Sequence, residues 1–238
     1  MRIFSLYTIL PLFFLIACKD TPETKTPPAE ETIPEEVNKV VMDSVFTEAP
    51  EEEEAPFKLT DENAIPFFNQ YEKDNPETKV RITTKFGSFD IELFENVPYH
   101  RANFIYLTKK GYFNGTYFHR VVNDFIIQGG NSDSRRTSKK RNEIGRYLLP
   151  PDTRKGHRHH RGVVSVPSSD IDNPHKLASP FEFFIVQKKD GAYHLDGGYT
   201  AFGSVVRGMD VVDKIAAQPT DVAEWPLQDI SMQVEVIE

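Results

Sequence analysis

The chain has 238 residues, and its 36 Asp and Glu outnumber its 28 Lys and Arg to give a formal net charge of −8. Its only cysteine, Cys18, excludes disulfides and leaves no thiol chemistry elsewhere in the chain. The acidity is regional, because residues 19–76 hold 16 acidic and five basic side chains, whereas residues 77–238 hold 20 acidic and 22 basic ones. The net charge is therefore no guide to what the C-terminal part binds.

Residues 1–17 have the pattern of a secretory signal peptide. An apolar run over residues 3–16 follows the basic Arg2, and it is too short to span a bilayer comfortably. The run closes with LIAC, which resembles the lipobox of bacterial lipoproteins, where the cysteine is lipidated. This resemblance implies that Cys18 anchors the protein to a membrane of the bacterial cell envelope, at the outer membrane or the periplasmic face. An ordinary signal peptide with a chance cysteine is the alternative.

Residues 18–58 predict an acidic, disordered tether. The stretches TPETKTPPAEETIPEE and TEAPEEEEAP are rich in Pro, Glu and Thr and poor in apolar side chains. Such a segment cannot bury enough apolar surface to offset the entropy lost on ordering. A solvated spacer is therefore the favoured interpretation.

Residues 59–76 predict a helical lead-in to the domain. Asn63 can cap a helix, and Pro66 falls in its first turn, where the missing N–H costs least. The helix is expected to end at Asn75, because the residue before a proline disfavours the helical conformation.

Residues 77–238 predict a mainly β domain. Period-two alternation and turn signals indicate eight strands, at 80–84, 89–93, 117–122, 125–128, 162–166, 182–187, 200–206 and 230–237. Helical spacing indicates two helices, one that opens at Pro98 and is capped by Gly111, and one over residues 208–217. Many short strands with few helices favour a closed or sandwiched antiparallel architecture.

The segment 131–161 predicts a long basic loop. It holds ten Lys and Arg but only three acidic residues, and Tyr147 is its one Phe, Tyr or Trp. Aromatic side chains therefore do not interleave with the basic ones to stack on bases, and nucleic-acid binding is not expected. His157, His159 and His160 in HRHH are potential metal ligands, but their spacing matches no standard site and neighbouring arginines repel cations. A solvated basic loop is the preferred interpretation, and neither a metal nor another cofactor is predicted.

The stretch YFHRVVNDFIIQGG, residues 117–130, carries unusual chemistry. Arg120 and Gln128 lie on two otherwise apolar strands, with no nucleophile or metal ligand beside them. The chain also lacks a nucleophile elbow, a Cys–His pair and a phosphate-binding glycine loop. A reaction at this stretch would therefore proceed without acid–base or covalent catalysis.

The segment FHRVVNDFIIQGG resembles the signature of the cyclophilins, and the likeness continues in order through RGVVSV, FEFFIV, LDGGYTAFG and GMDVVDKIA. It covers residues 77–238 and implies a closed eight-stranded antiparallel barrel capped by two helices. The implied activity is cis-trans isomerisation of X-Pro bonds, which would assist the folding of exported proteins. Proline-containing polypeptides are the implied substrates, and a monomer is expected.

The resemblance also implies site residues. Arg120 takes the catalytic role. The substrate-binding positions are Phe125, Ile126, Gln128, Pro167, Ser168, Phe184, His194, Leu195 and Tyr199. His119 is expected to be structural, because alternation along a strand turns it to the face opposite Arg120.

This sequence departs from the family at several of these positions. Family members often carry Trp at the position of His194, Gln at Glu182 and His at Tyr199, and Pro167 lacks an N–H for a peptide. These departures are expected to affect inhibitor affinity and substrate preference.

The implied reaction fits the residues chemically. Rotation about a peptide bond has a barrier of about 18–20 kcal/mol, set by amide resonance, and no bond forms or breaks. A guanidinium that donates to the amide nitrogen in the twisted state binds the transition state more tightly than either planar form.

Two alternatives stay open: a cyclophilin-like peptide-binding or chaperone module with little turnover, and a structural envelope lipoprotein that acts through its tether or basic loop.

Overall fold

A computed structural model describes residues 56–168 and 173–238. The predicted signal peptide, Cys18 and the predicted tether up to residue 55 lie outside the described residues. Within the part that is described, no helix has the length and apolarity needed to cross a membrane.

The described residues form ten strands and four α-helices. The strands are β1 (Leu59–Thr60), β2 (Lys79–Thr84), β3 (Gly87–Leu93), β4 (Tyr117–Val122), β5 (Ile126–Asn131), β6 (Gly145–Arg146), β7 (Val163–Ser165), β8 (Phe183–Val186), β9 (Ala201–Arg207) and β10 (Gln233–Ile237). The helices are α1 (Ala64–Asp74), α2 (Pro98–Lys109), α3 (Arg135–Ile144) and α4 (Met209–Ala216).

Eight of the strands form one antiparallel sheet, in the order β10-β2-β3-β9-β7-β8-β5-β4. Its two edges meet where Tyr117 on β4 bridges Ser231, just before β10, and the Phe118 N–H donates to the Ile230 carbonyl at 3.0 Å. These are the eight strands predicted from the sequence, so the mainly β, eight-stranded antiparallel fold is confirmed. Its closure is confined to this short contact between the two edges.

The alternating residues of the strands fill the core. On β2, Val80 and Ile82 are fully buried, and on β3 so are Phe89 and Ile91. Helix α2 begins at Pro98 as predicted, and every residue from 100 to 108 is buried because the helix packs into the same core.

The lead-in packs onto the domain. Strand β1 pairs in parallel with β6, and helix α1 lies against α2, where the fully buried Phe68 contacts the ring of Tyr106 at 5.9 Å between centroids. The predicted cap is wrong in detail: Asn63 occupies the N-cap position, but its side chain accepts from the Thr60 N–H, upstream of the helix.

The expectation of a loop throughout residues 131–161 is wrong, because this segment contains α3. Ser134 caps the helix by accepting the Thr137 N–H at 3.2 Å, and Lys140 donates to the carbonyls of Tyr112 and Asn114. Only Thr137 and Ile144 of the helix are buried, so the sequence has no apolar stripe that would indicate a helix.

Candidate active site

A cavity of about 430 Å³ opens on the sheet near β4, β5 and β8. Nine of the ten predicted site residues line it, and Glu182 is the tenth lining residue. The nine are Arg120, Phe125, Ile126, Gln128, Pro167, Ser168, Phe184, Leu195 and Tyr199. The remaining predicted residue, His194, does not line the cavity but stacks on Phe125, with ring centroids 5.4 Å apart.

The apolar side of the cavity is a small core of its own. Ile126 on β5 and Phe184 on β8 are buried in a cluster separate from the main core, and Phe125, Leu195 and Tyr199 pack against it half-buried. The Tyr199 ring meets the Phe184 ring edge-on at 5.6 Å. Because the pairing of β5 with β8 sets these side chains side by side, the fold presents an apolar wall suited to a proline ring.

The polar side begins with Arg120 on β4. Its register partner is Gln128 on β5, so the two polar side chains predicted from the sequence lie on adjacent strands. The Nε of Arg120 donates to Oε2 of Glu224 at 2.6 Å. Within the described residues the Arg120 side chain makes no other hydrogen bond or ion pair, so its terminal nitrogens are left to donate to a ligand.

Gln128 has its own carboxylate partner. Its Nε2 donates to Oε2 of Glu182 at 3.0 Å, and Nδ2 of Asn131 donates to the other Glu182 oxygen at 3.1 Å. An ionised carboxylate only accepts hydrogen bonds, so the Gln128 amide must present its nitrogen to Glu182 and keep its oxygen for other partners. Glu182 thereby fixes which end of the Gln128 amide is free to meet a peptide.

Glu182 is held as an anion by its surroundings. Burial alone would raise the pKa of its carboxyl, but the contacts with His119 and Gln128 lower that pKa by more, and the net shift is downward. Nη2 of Arg141, on α3, lies 3.7 Å from Glu182 and adds to this lowering. Helix α3, which the sequence did not predict, thus supports the polar side of the cavity.

The strand alternation assumed for His119 does not hold, although His119 itself does not line the cavity. The register of β4 and β5 shifts between Phe118 and Arg120, which breaks the alternation. Phe118 and Val121 are both in the core, whereas His119 lies outside it with its Nε2 3.5 Å from Glu182. His119 therefore contacts Glu182, a residue of the cavity. No sequence pattern predicts the register shift that allows this contact.

The three histidines of HRHH have different partners. His157 stacks on Phe94 at 3.8 Å, and His160 contacts the Tyr193 hydroxyl at 2.8 Å. His159 is fully buried, which contradicts the expectation that the whole segment is a solvated loop.

His159 lies between Asp196 and Ser165. Its Nδ1 is 2.8 Å from Asp196 and its Nε2 is 3.0 Å from the Ser165 hydroxyl. This order resembles a hydrolytic triad, but Ser165 is fully buried on β7 and does not line the cavity, so no substrate reaches it. The contacts instead tie the histidine segment to the turn that carries Leu195.

The site therefore has an apolar pocket beside a guanidinium, and its ten lining residues include no His, Cys or Lys to act with a nucleophile. An apolar wall beside a hydrogen-bond donor fits a ligand that carries an apolar group next to an acceptor. The model of the family described as "cyclophilin type peptidyl-prolyl cis-trans isomerase/CLD" matches residues 79–236. The chain belongs to this family, and the enzyme class that the sequence predicted is confirmed.

Relatives and solved structures agree with this assignment. The chain is 36% identical over 165 residues to peptidyl-prolyl cis-trans isomerase-like 2 of Rhizopus delemar, which covers 68% of this chain but only 29% of that protein. It is 33% identical over 169 residues to a peptidyl-prolyl cis-trans isomerase of Acinetobacter baylyi, covering 67% of this chain and 87% of that one.

A crystal structure of a cyclophilin type isomerase from Cryptosporidium parvum superposes with a TM-score of 0.57 at 25% identity, over 68% of this chain and 98% of that one. A second structure of that protein was determined in the presence of the dipeptide Ala-Pro and superposes with a TM-score of 0.56.

Proposed function

We propose that this chain isomerises X-Pro bonds by stabilising the twisted amide with Arg120 while the apolar wall holds the proline ring. The observation that carries the proposal is that a guanidinium with unshared terminal nitrogens lines the same cavity as Phe125, Ile126, Phe184 and Leu195. In the twisted state the nitrogen lone pair leaves amide resonance and becomes a hydrogen-bond acceptor. An arginine side chain carries five N–H donors and no acceptor, so a guanidinium is suited to donate to that lone pair.

The energy required is modest. A thousandfold acceleration corresponds to about 4 kcal/mol of preferential transition-state binding. One or two charge-assisted hydrogen bonds in a partly desolvated groove supply energies of this size. The mechanism therefore needs no further catalytic group.

The remaining predicted residues have supporting roles in this proposal. The free amide oxygen of Gln128 accepts from the peptide backbone, because its nitrogen is engaged by Glu182. The segment at Pro167 and Ser168 lies along the opposite side of the peptide, with Pro167 limited to its carbonyl. Tyr199 closes the apolar wall against Phe184.

A proline-peptide isomerisation assay on the wild type beside Arg120→Ala tests the proposal. The matched control is Arg136→Ala, which removes an exposed arginine of α3 that does not line the cavity. Loss of rate in Arg120→Ala alone supports the mechanism. An equal rate in all three proteins would overturn it.

The same assay decides between the enzyme and the rival peptide-binding or chaperone module. Both hypotheses predict that proline peptides bind in the cavity. Only the isomerase hypothesis predicts exchange of the bound peptide well above its spontaneous rate of roughly one event in 10–100 s.

We further propose that the protein is a monomeric, lipid-anchored isomerase of the bacterial cell envelope, held through Cys18 at the outer membrane or the periplasmic face, and that its clients are exported proteins. The support is the signal-like run over residues 3–16 and the LIAC sequence. Detergent-phase partitioning of the full chain, with Cys18→Ala as control, tests the anchor. If both proteins partition alike into the aqueous phase, the anchor hypothesis fails.

The rival hypothesis of a structural lipoprotein, which acts through its tether or basic loop, predicts instead that function persists in Arg120→Ala.

A further inference from the structure

The segment between α4 and β10 places a carboxylate against the proposed catalytic arginine. Glu224 lies 104 positions beyond Arg120 in the chain, yet its Oε2 accepts from Arg120 Nε at 2.6 Å. The two side chains are 43% and 37% exposed. An ion pair this exposed adds little to stability, so stability alone is a weak reason for the contact.

The backbone at Glu224 is strained. Its φ is +63°, in the left-handed region that disfavours residues other than Gly, Asn and Asp. Backbone strain of this kind persists only where the surrounding structure enforces it, and it is concentrated at functional sites.

The surrounding structure does enforce it here. The side chain of Asp221 accepts the N–H groups of Ala223 at 2.8 Å and Trp225 at 3.0 Å, and the Glu224 N–H donates to the Asp221 carbonyl at 3.1 Å. The Glu224 carbonyl then accepts from the N–H of Val121 on β4 at 2.8 Å. The turn over residues 221–225 is thus fixed in itself and tied to the residue that follows Arg120.

The contact leaves the useful part of the guanidinium free. A guanidinium is a rigid plane with five N–H donors, and a bond to Nε uses the one farthest from its tip. Holding Nε restricts rotation of the plane while both terminal nitrogens stay available. A carboxylate bound to the terminal nitrogens instead would compete with the substrate.

We infer that Glu224 is a positioning residue for the isomerisation: it orients the guanidinium of Arg120 so that its terminal nitrogens meet the twisted amide. The inference rests on the proposed function, in which Arg120 is the catalytic donor. Glu224 acts only through Arg120 and does not touch the substrate amide. Its contribution is to kcat, because the apolar wall that binds the proline ring is separate from it.

A double-mutant cycle between Arg120 and Glu224 tests this inference. Glu224→Ala is expected to lower kcat about tenfold with little change in peptide affinity, a size within the range for couplings between residues in contact. In the Arg120→Ala background the same substitution is expected to change kcat by less than about twofold, because the group that Glu224 orients is gone.

Three further variants separate positioning from a structural role. Glu224→Gln keeps an acceptor for Nε and should retain most of the activity. Glu224→Gly relieves the positive φ, so the fold should be at least as resistant to heat while kcat still falls. Val222→Ala, at a fully exposed position of the same segment, should leave both quantities unchanged.

The outcomes are distinct. If Arg120→Ala leaves the rate unchanged, the proposed catalytic role of Arg120 fails, whatever Glu224 does. If Arg120→Ala is slow but Glu224→Ala and Glu224→Gly match the wild type, the positioning role is overturned while the catalytic role stands. If Glu224→Ala lowers kcat equally in both backgrounds, the residue does not act through Arg120 and the inference is also overturned.

Discussion

The two sides of the cavity are built in different ways. The apolar side consists of neighbours on β5, β8 and the nearby turn, and each side chain is positioned by the strand or turn that carries it. The polar side consists of Arg120 and Gln128, and each is bound by a carboxylate from a distant part of the chain. The shape of the pocket therefore depends on local structure, whereas the orientation of its polar side chains depends on contacts with residues distant in the chain.

Substitutions on the apolar side should act mainly on stability and binding. Phe184 is only 3% exposed, so Phe184→Ala is expected to destabilise the fold by about 3–5 kcal/mol and to weaken peptide binding. Phe57→Ala removes a Phe that is 61% exposed, and it should cost less than about 1 kcal/mol. Chemical denaturation measures both. Equal destabilisation by the two substitutions would contradict the burial seen here.

A pH titration is expected to act on stability through a buried histidine of the core. Burial lowers the pKa of His100 on α2 to about 4, from an ordinary value of 6.5. Between these pH values the unfolded chain binds the extra proton, so stability falls as the pH drops from 6.5 to 4, by on the order of 3 kcal/mol from this residue. Glu182 has a lowered pKa, so it keeps its charge to a lower pH than an ordinary glutamate does.

His100→Gln isolates this contribution. The substituted side chain does not titrate, so the loss of stability over that pH window should be shallower than in the wild type. Denaturation midpoints at a series of pH values provide the measurement. Parallel curves for the two proteins would show that His100 is not buried in its neutral form.

Glu182→Gln tests whether the polar side of the cavity depends on its carboxylate. An amide at this position can face Gln128 with either end and carries no charge for Arg141, so the orientation of Gln128 is no longer enforced. KM for a proline peptide is expected to rise several-fold, equivalent to roughly 1 kcal/mol. Glu143→Gln, at an exposed position of α3, is the matched control and should have no effect. Unchanged KM in Glu182→Gln would remove its orienting role.

A comparably small effect is expected at His194, beside the cavity. His194 stacks on Phe125 outside the cavity lining, and His194→Trp replaces an imidazole with a larger apolar face. Binding of proline peptides and of cyclosporin-like inhibitors should tighten by about 0.5–1.5 kcal/mol. Calorimetry on the wild type and the variant measures this. Nanomolar inhibitor binding by the wild type would contradict the role given to His194.

The sequence predicted the two sides of the cavity unequally. The eight strands follow from period-two patterning and turn signals. The apolar cavity residues were assigned through the resemblance to the cyclophilins, whose motifs each lie within a few residues. Arg120 and Gln128 were found because they stand out on apolar strands. Glu224 was missed because its contact joins residues 104 positions apart, a separation that leaves no local pattern.

Two further errors have physical causes of the same kind. Helix α3 buries only Thr137 and Ile144, so it lacks the apolar periodicity that identifies helices, and lysine contacts with distant carbonyls support it instead. The contact of His119 with Glu182 was missed because a shift in the register of β4 and β5 overrides alternation. In both cases tertiary contacts, which a single sequence does not display, decide the local geometry.

The most direct test of the catalytic role of Arg120 measures kcat and peptide affinity separately for Arg120→Ala and Phe125→Ala. Phe125 is a half-buried member of the apolar wall, so its loss spares the fold more than that of Phe184. Arg120→Ala should lower kcat by roughly 10²–10³ with nearly unchanged affinity, whereas Phe125→Ala should weaken affinity with a smaller change in kcat. Wild-type kcat in a folded Arg120→Ala protein would contradict stabilisation of the twisted amide by this guanidinium.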